Sequence, residues 1–131
     1  GAYAELSRRH EIVIVEGVGG WMVPLVHHKS TFSDCSDLVN ALQLPIVTVS
    51  RRVLGTINHS LLTWRASQSQ QSLGWIFCDA ATVNPTDVAA QTSPALIAEI
   101  SELPIIAQVP YLENLSKGIL LEAAQKYFSP C

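Results

Sequence analysis

The sequence holds 131 residues, 48% hydrophobic and 15% charged, with a net charge of −3. This length supports one domain with its own core, and the apolar excess suits a sheet covered on both sides or a large interface. Cations cluster no more densely than the pairs Arg8-Arg9 and Arg51-Arg52, which excludes nucleic-acid binding by bulk electrostatics. The apolar runs are far too short to span a bilayer, and no signal-peptide pattern follows Gly1. Three widely spaced cysteines, Cys35, Cys78 and Cys131, without a C-x-x-C pair, fit free thiols in a reducing cytoplasm.

Residues 2–10 read as a helix end and turn, with Arg8, Arg9 and His10 suited to the negative end of the helix dipole. The run Ile12, Val13, Ile14, Val15 predicts a strand buried on both faces, as in a parallel sheet under helices. A loop over 16–29 follows. Ser30-Thr31-Phe32-Ser33-Asp34 supplies N-cap candidates for a helix whose apolar face is Cys35, Leu38, Val39 and Leu42; Pro45 lies beyond its end. Residues 45–49 predict a second strand. Thr56 is then expected to cap a helix to about residue 68, with Ile57, Leu61 and Trp64 along one side. Residues 75–78 predict a third strand, 79–94 a polar loop, and Leu96, Ile97, Ile100 and Leu103 a short helix. Residues 104–109 predict a fourth strand, and Leu120, Ala123, Ala124, Tyr127 and Phe128 a final amphipathic helix.

This alternation predicts an α/β fold: a parallel sheet with helices on both faces, within a single domain over 1–131. In such sheets ligands sit at the carboxyl ends of the strands. The ligand loops are then 16–29, 50–56, 78–94 and 110–116. Two motifs fall there. In Glu16-Gly17-Val18-Gly19-Gly20, a carboxylate at a strand end can hold a hard divalent cation, and the glycines let a ligand approach the backbone. The plainer reading is a tight surface turn with an exposed Glu. In Leu54-Gly55-Thr56-Ile57-Asn58-His59, the unpaired N–H groups at a helix start suit a carboxylate or phosphate, with Thr56 and Asn58 adding side-chain donors. The plainer reading there is an ordinary capped helix. His59 suits packing, and His27-His28 lacks a third ligand. Trp21, Trp64 and Trp75 are too scattered for a base-stacking platform and are expected in the core. Neither a G-x-G-x-x-G fingerprint nor a G-x-x-x-x-G-K-[ST] phosphate loop occurs in the 131 residues.

Val15-Glu16-Gly17-Val18-Gly19-Gly20-Trp21 with Pro24-Leu25, and Leu54-Gly55-Thr56-Ile57-Asn58-His59, resemble two motifs of the dethiobiotin synthetases. Gly74-Trp75-Ile76 and Val109-Pro110-Tyr111-Leu112 match later strands of the same family, so the resemblance covers nearly the whole chain. It implies a phosphate-loop NTPase-like, Rossmann-like fold, incomplete here as the C-terminal portion of a larger domain. It implies closure of the ureido ring of dethiobiotin, in biotin biosynthesis, from 7,8-diaminopelargonate, CO2 and ATP with Mg2+, in a cytoplasmic homodimer. Glu16 would bind Mg2+. Gly17, Gly19 and Gly20 would lie beside the carbamate and γ-phosphate. Gly55, Thr56, Ile57 and Asn58 would hold the substrate carboxylate across the subunit interface. Pro110, Tyr111 and Leu112 would line the adenine side.

The family's phosphate loop and its lysines have no counterpart in these residues, and Cys78 stands where the family has an adenine-contacting Asn. The chain is therefore expected to be inactive alone, since nothing in it neutralises the charge of phosphoryl transfer. The alternative expectation is a non-catalytic interaction module of the same fold, pairing through an exposed sheet edge.

Overall fold

The computed structural model describes residues 1–128, so Cys131 lies outside the described residues. The chain divides into two compact units, Gly1–Leu38 and Val39–Cys131.

The first unit opens with helix α1 (Ala2–Arg9), whose last turn carries Arg8 and Arg9 at the negative dipole end. Residues 12–15, expected as a buried parallel strand, are not a strand. Ile12 is 79% and Ile14 88% exposed, and none of the described strands pairs with them. The sequence pattern is that of a strand, but a strand forms only when a neighbouring backbone completes its ladder. The expected loop over 16–29 is likewise corrected. Its second half is β1 (Pro24–His28), which pairs antiparallel with β2 (Thr31–Asp34). A two-residue turn joins them, and Lys29 takes the positive φ (52°) that tight hairpins need. His27 meets Phe32 edge-on at 6.4 Å across the pair.

Helix α2 (Cys35–Leu42) follows Asp34, one of the expected cap candidates. Asp34 Oδ1 accepts the N–H groups of Ser36 (2.9 Å) and Asp37 (3.2 Å), while Asp37 Oδ2 accepts the N–H of Asp34 (3.0 Å). This reciprocal box satisfies donors that a helix start otherwise leaves open. Cys35 is buried, and Leu38, expected on the same face, is exposed.

The second unit is built on a three-stranded parallel sheet in the order β3-β4-β5, with β3 (Ile46–Ser50), β4 (Ser72–Cys78) and β5 (Ile105–Val109). The intervening helices are α3 (Thr56–Ala66) and α4 (Val88–Ser101), and α5 (Lys117–Tyr127) follows β5. Trp75, Phe77 and Ile97 form the fully buried core, with Ile57, Leu61, Trp64, Leu103 and Ile105 packed against it. The expected apolar side of α3 is therefore the side that meets the core. Trp75 Nε1–H donates to Ser101 Oγ (2.8 Å), which donates to the Ile97 carbonyl (2.7 Å), so the buried indole is satisfied. Burial alternates along the edge strand β3, leaving Val49 63% exposed.

Helix α4 corrects the expected loop over 79–94. It starts at Val88, where Asp87 caps it by accepting the Ala90 N–H (3.1 Å), and it carries Pro94 inside. Proline removes one helical hydrogen bond but does not forbid a buried helix whose packing offsets the loss. None of the described helices is long and apolar enough to cross a membrane.

Candidate functional site

The carboxyl ends of β3 and β4 are extended by two loops that meet. The loop after β3 carries Arg51, Arg52 and Val53, and the loop after β4 begins at Asp79. The two flank a cleft of about 390 Å³, lined also by Thr82 and Asn84. Across its wall Arg52 Nε–H donates to Asp79 Oδ1 (3.0 Å), and Nη2 pairs with Oδ2. The Asp79 side chain is 3% exposed and that of Arg52 23%. This bidentate contact raises the Arg52 pKa above its ordinary value, chiefly through the hydrogen bond from its guanidinium to Asp79. Asp79 is anchored in turn, because its N–H donates to the Val109 carbonyl at the end of β5 (3.0 Å). Sequence reasoning missed this pair. Nothing links positions 27 residues apart until the two strands lie side by side in register.

The turn into α3 is sharper than the sequence suggested. The N-cap is Gly55, at φ 90°, and no side chain caps the helix. The expected capping role of Thr56 is corrected: Thr56 is the first helical residue, buried, with its hydroxyl 3.5 Å from Ser60 Oγ. Ser60 Oγ also bonds Ser50 Oγ (2.8 Å), which ties the helix to the end of β3. The Thr56 N–H donates to the Val53 carbonyl (3.1 Å) and the His59 N–H to the Gly55 carbonyl (3.2 Å). The N–H groups of Ile57 and Asn58 have no such acceptor among the described residues, as helix geometry requires. Asn58 is exposed beside them and Ile57 half-buried. These donors, at the positive end of α3, can receive an anion.

The remaining expected site residues are placed as follows. Glu16, Gly17, Gly19 and Gly20 are exposed in the first unit, with Gly19 at φ 78°. The Glu16 carboxylate makes no ion pair or hydrogen bond with another described side chain. No group of three or more metal-ligating side chains occurs among the described residues, His27 and His28 included. Pro110 and Leu112 are half-buried after β5, and Tyr111 is exposed. Cys78 is an exposed free thiol at the end of β4, and Cys35 is free and buried.

A parallel α/β sheet with polar loops gathered at its carboxyl ends is an architecture that phosphate-loop NTPases share with other doubly wound α/β folds. A family model described as an AAA domain, of that NTPase class, matches residues 2–118, and the chain belongs to this family. Its relatives are more particular. It is 36% identical over 131 residues to an ATP-dependent dethiobiotin synthetase of Thermodesulfovibrio yellowstonii, covering 97% of this chain and 55% of that protein. It is 38% identical over 112 residues to that of Xanthomonas oryzae pv. oryzae (84% and 47%). It is 32% identical over 128 residues to that of Bacillus subtilis (97% and 53%). The resemblance read from the two motifs is thus borne out. The chain spans about half the length of the curated relatives it matches.

Proposed function

We propose that this chain carries the substrate-carboxylate and metal-side portion of an ATP-dependent dethiobiotin synthetase, acting on 7,8-diaminopelargonate and CO2 in biotin biosynthesis. The observation that carries this reading is the turn into α3. Its two open N–H groups, on Ile57 and Asn58, lie at a positive helix end where Asn58 is exposed. A substrate ending in a carboxylate suits that turn. Gly55 allows the close approach, and Thr56 stabilises the turn from inside. Leu54, 89% exposed beside it, is an apolar residue that a second subunit would cover, in keeping with a homodimer whose site spans two chains.

Glu16 offers one free carboxylate. That fits Mg2+, which keeps several waters and takes one or two carboxylates together with phosphate oxygens. When bound, ATP and Mg2+ would supply the phosphoryl group and the neutralising charge for ring closure. In this reading Gly17, Gly19 and Gly20 leave room beside the phosphates, and Pro110, Tyr111 and Leu112 line the adenine side. The soluble cytoplasm is the compartment such a reaction implies.

Calorimetric titration of 7,8-diaminopelargonate into the chain and its Asn58→Ala variant tests the assignment. Heat of binding is expected from the chain and its loss from the variant; equal heats in both would end it. A second reading is favoured by residues 12–15, where Ile12, Ile14 and Val15 are exposed and the backbone is in no described strand, which suits pairing with another chain. Under that reading the chain is a non-catalytic interaction module and gives no heat with the diamine.

A further inference from the structure

We infer that Arg52 and Asp79 are a positioning pair, holding the loop after β3 so that the N–H groups of Ile57 and Asn58 face the substrate carboxylate. The inference rests on the reading of that turn given above. Its geometry is a continuous chain of contacts. The end of β5 fixes Asp79 through the Val109 carbonyl, Asp79 fixes Arg52 by two hydrogen bonds, and one residue further on the Val53 carbonyl holds the Thr56 N–H. From there α3 begins. The Ser50–Ser60 hydroxyl contact ties α3 itself to β3, but the stretch between them has no side-chain cap from Gly55, and Val53 and Leu54 are exposed.

A solvated ion pair would contribute little to such ordering. Here the carboxylate is almost wholly buried, and the guanidinium fork fixes direction as well as distance. Arg52 thereby spends its charge on Asp79 and is not a free anion receptor. The neighbouring Arg51 is exposed, and no ion pair engages it among the described residues.

The test compares Asp79→Asn, Arg52→Gln and Arg52→Lys with the unaltered chain by two measurements. In amide hydrogen exchange, Asp79→Asn and Arg52→Gln are expected to speed exchange at Thr56 about tenfold, as opening of one local turn does. The amides of Trp75 and Ile97 should keep their protection. Arg52→Lys, which retains charge without the fork, should fall between. Unchanged exchange at Thr56, or a loss shared equally by the core, would overturn the inference. In calorimetry with 7,8-diaminopelargonate, Asp79→Asn is expected to weaken binding about tenfold, since misplaced groups lose affinity without losing contacts. Full affinity in Asp79→Asn beside weakened binding in Arg52→Gln would mean that Arg52 touches the ligand itself, and would also overturn it. If the unaltered chain gives no heat with the diamine, the substrate reading fails, while the exchange measurement still decides whether the pair positions the turn.

Discussion

Asp34 does more for its helix than its place as a cap candidate implied. Its carboxylate accepts two backbone N–H groups and the Ser36 hydroxyl (2.6 Å), and these bonds hold its pKa below the ordinary value of about 3.9, the Ser36 hydroxyl most of all. A lowered carboxylate pKa contributes stability that is present above the unfolded value and is lost as pH falls through the folded one. The melting temperature of the chain is therefore expected to drop below pH ~4 more steeply than that of Asp34→Asn. Asparagine keeps the cap but does not titrate. Parallel acid dependence in the two proteins, followed by circular dichroism, would refute this. Gly55 sits at φ 90°, where a side chain is disfavoured, although a Cβ there would meet only the His59 ring at 3.8 Å. Gly55→Ala is expected to destabilise the fold by about 1–2 kcal/mol through backbone strain alone, measurable by urea denaturation.

At the scale of elements, β4 depends on a close approach that only glycine permits. A Cβ on Gly74 would lie 2.5 Å from the Pro104 carbonyl oxygen, and that same oxygen accepts the Trp75 N–H (2.9 Å). The register between β4 and β5 shifts at this point. Gly74→Ala is expected to lose about 1–3 kcal/mol, as overpacking does when the neighbour is backbone. A melting temperature equal to that of the unaltered chain would show that the strands can separate without loss. The hairpin of β1 and β2 was readable in hindsight. Leu25-Val26-His27-His28 and Thr31-Phe32 flank a two-residue gap, a spacing that a tight hairpin uses. The glycines and Pro24 masked it by suggesting loop throughout.

For the whole molecule, the deciding fact is that the chain spans about half the length of its relatives, and its 131 residues hold Glu16 and the turn into α3 but no G-x-x-x-x-G-K-[ST] phosphate loop. Supplied with ATP, bicarbonate and 7,8-diaminopelargonate, the purified chain is expected to form no dethiobiotin. Product detected by mass spectrometry would overturn that expectation. The exposed side chains of Ile12, Ile14 and Val15 belong to the same scale, since a strand here requires a neighbouring backbone that no described strand supplies.

The sequence by itself determined the three paired parallel strands, the side of α3 that meets the core, the cap of α2 and the family. Each of these rests on local pattern: apolar runs, helical periodicity, a capping residue and two contiguous motifs. It overreached at residues 12–15, where apolar pattern alone cannot make a strand, and at residues 88–94, read as part of a polar loop but helical in the fold. Only the tertiary structure decided the start of α3 and the pairing of Arg52 with Asp79. A positive φ at Gly55 turns Thr56 inward, away from the role its sequence position suggested. The ion pair joins loops that only neighbouring parallel strands bring together. Local chemistry is written in the order of residues; which distant charges meet depends on the register of the sheet.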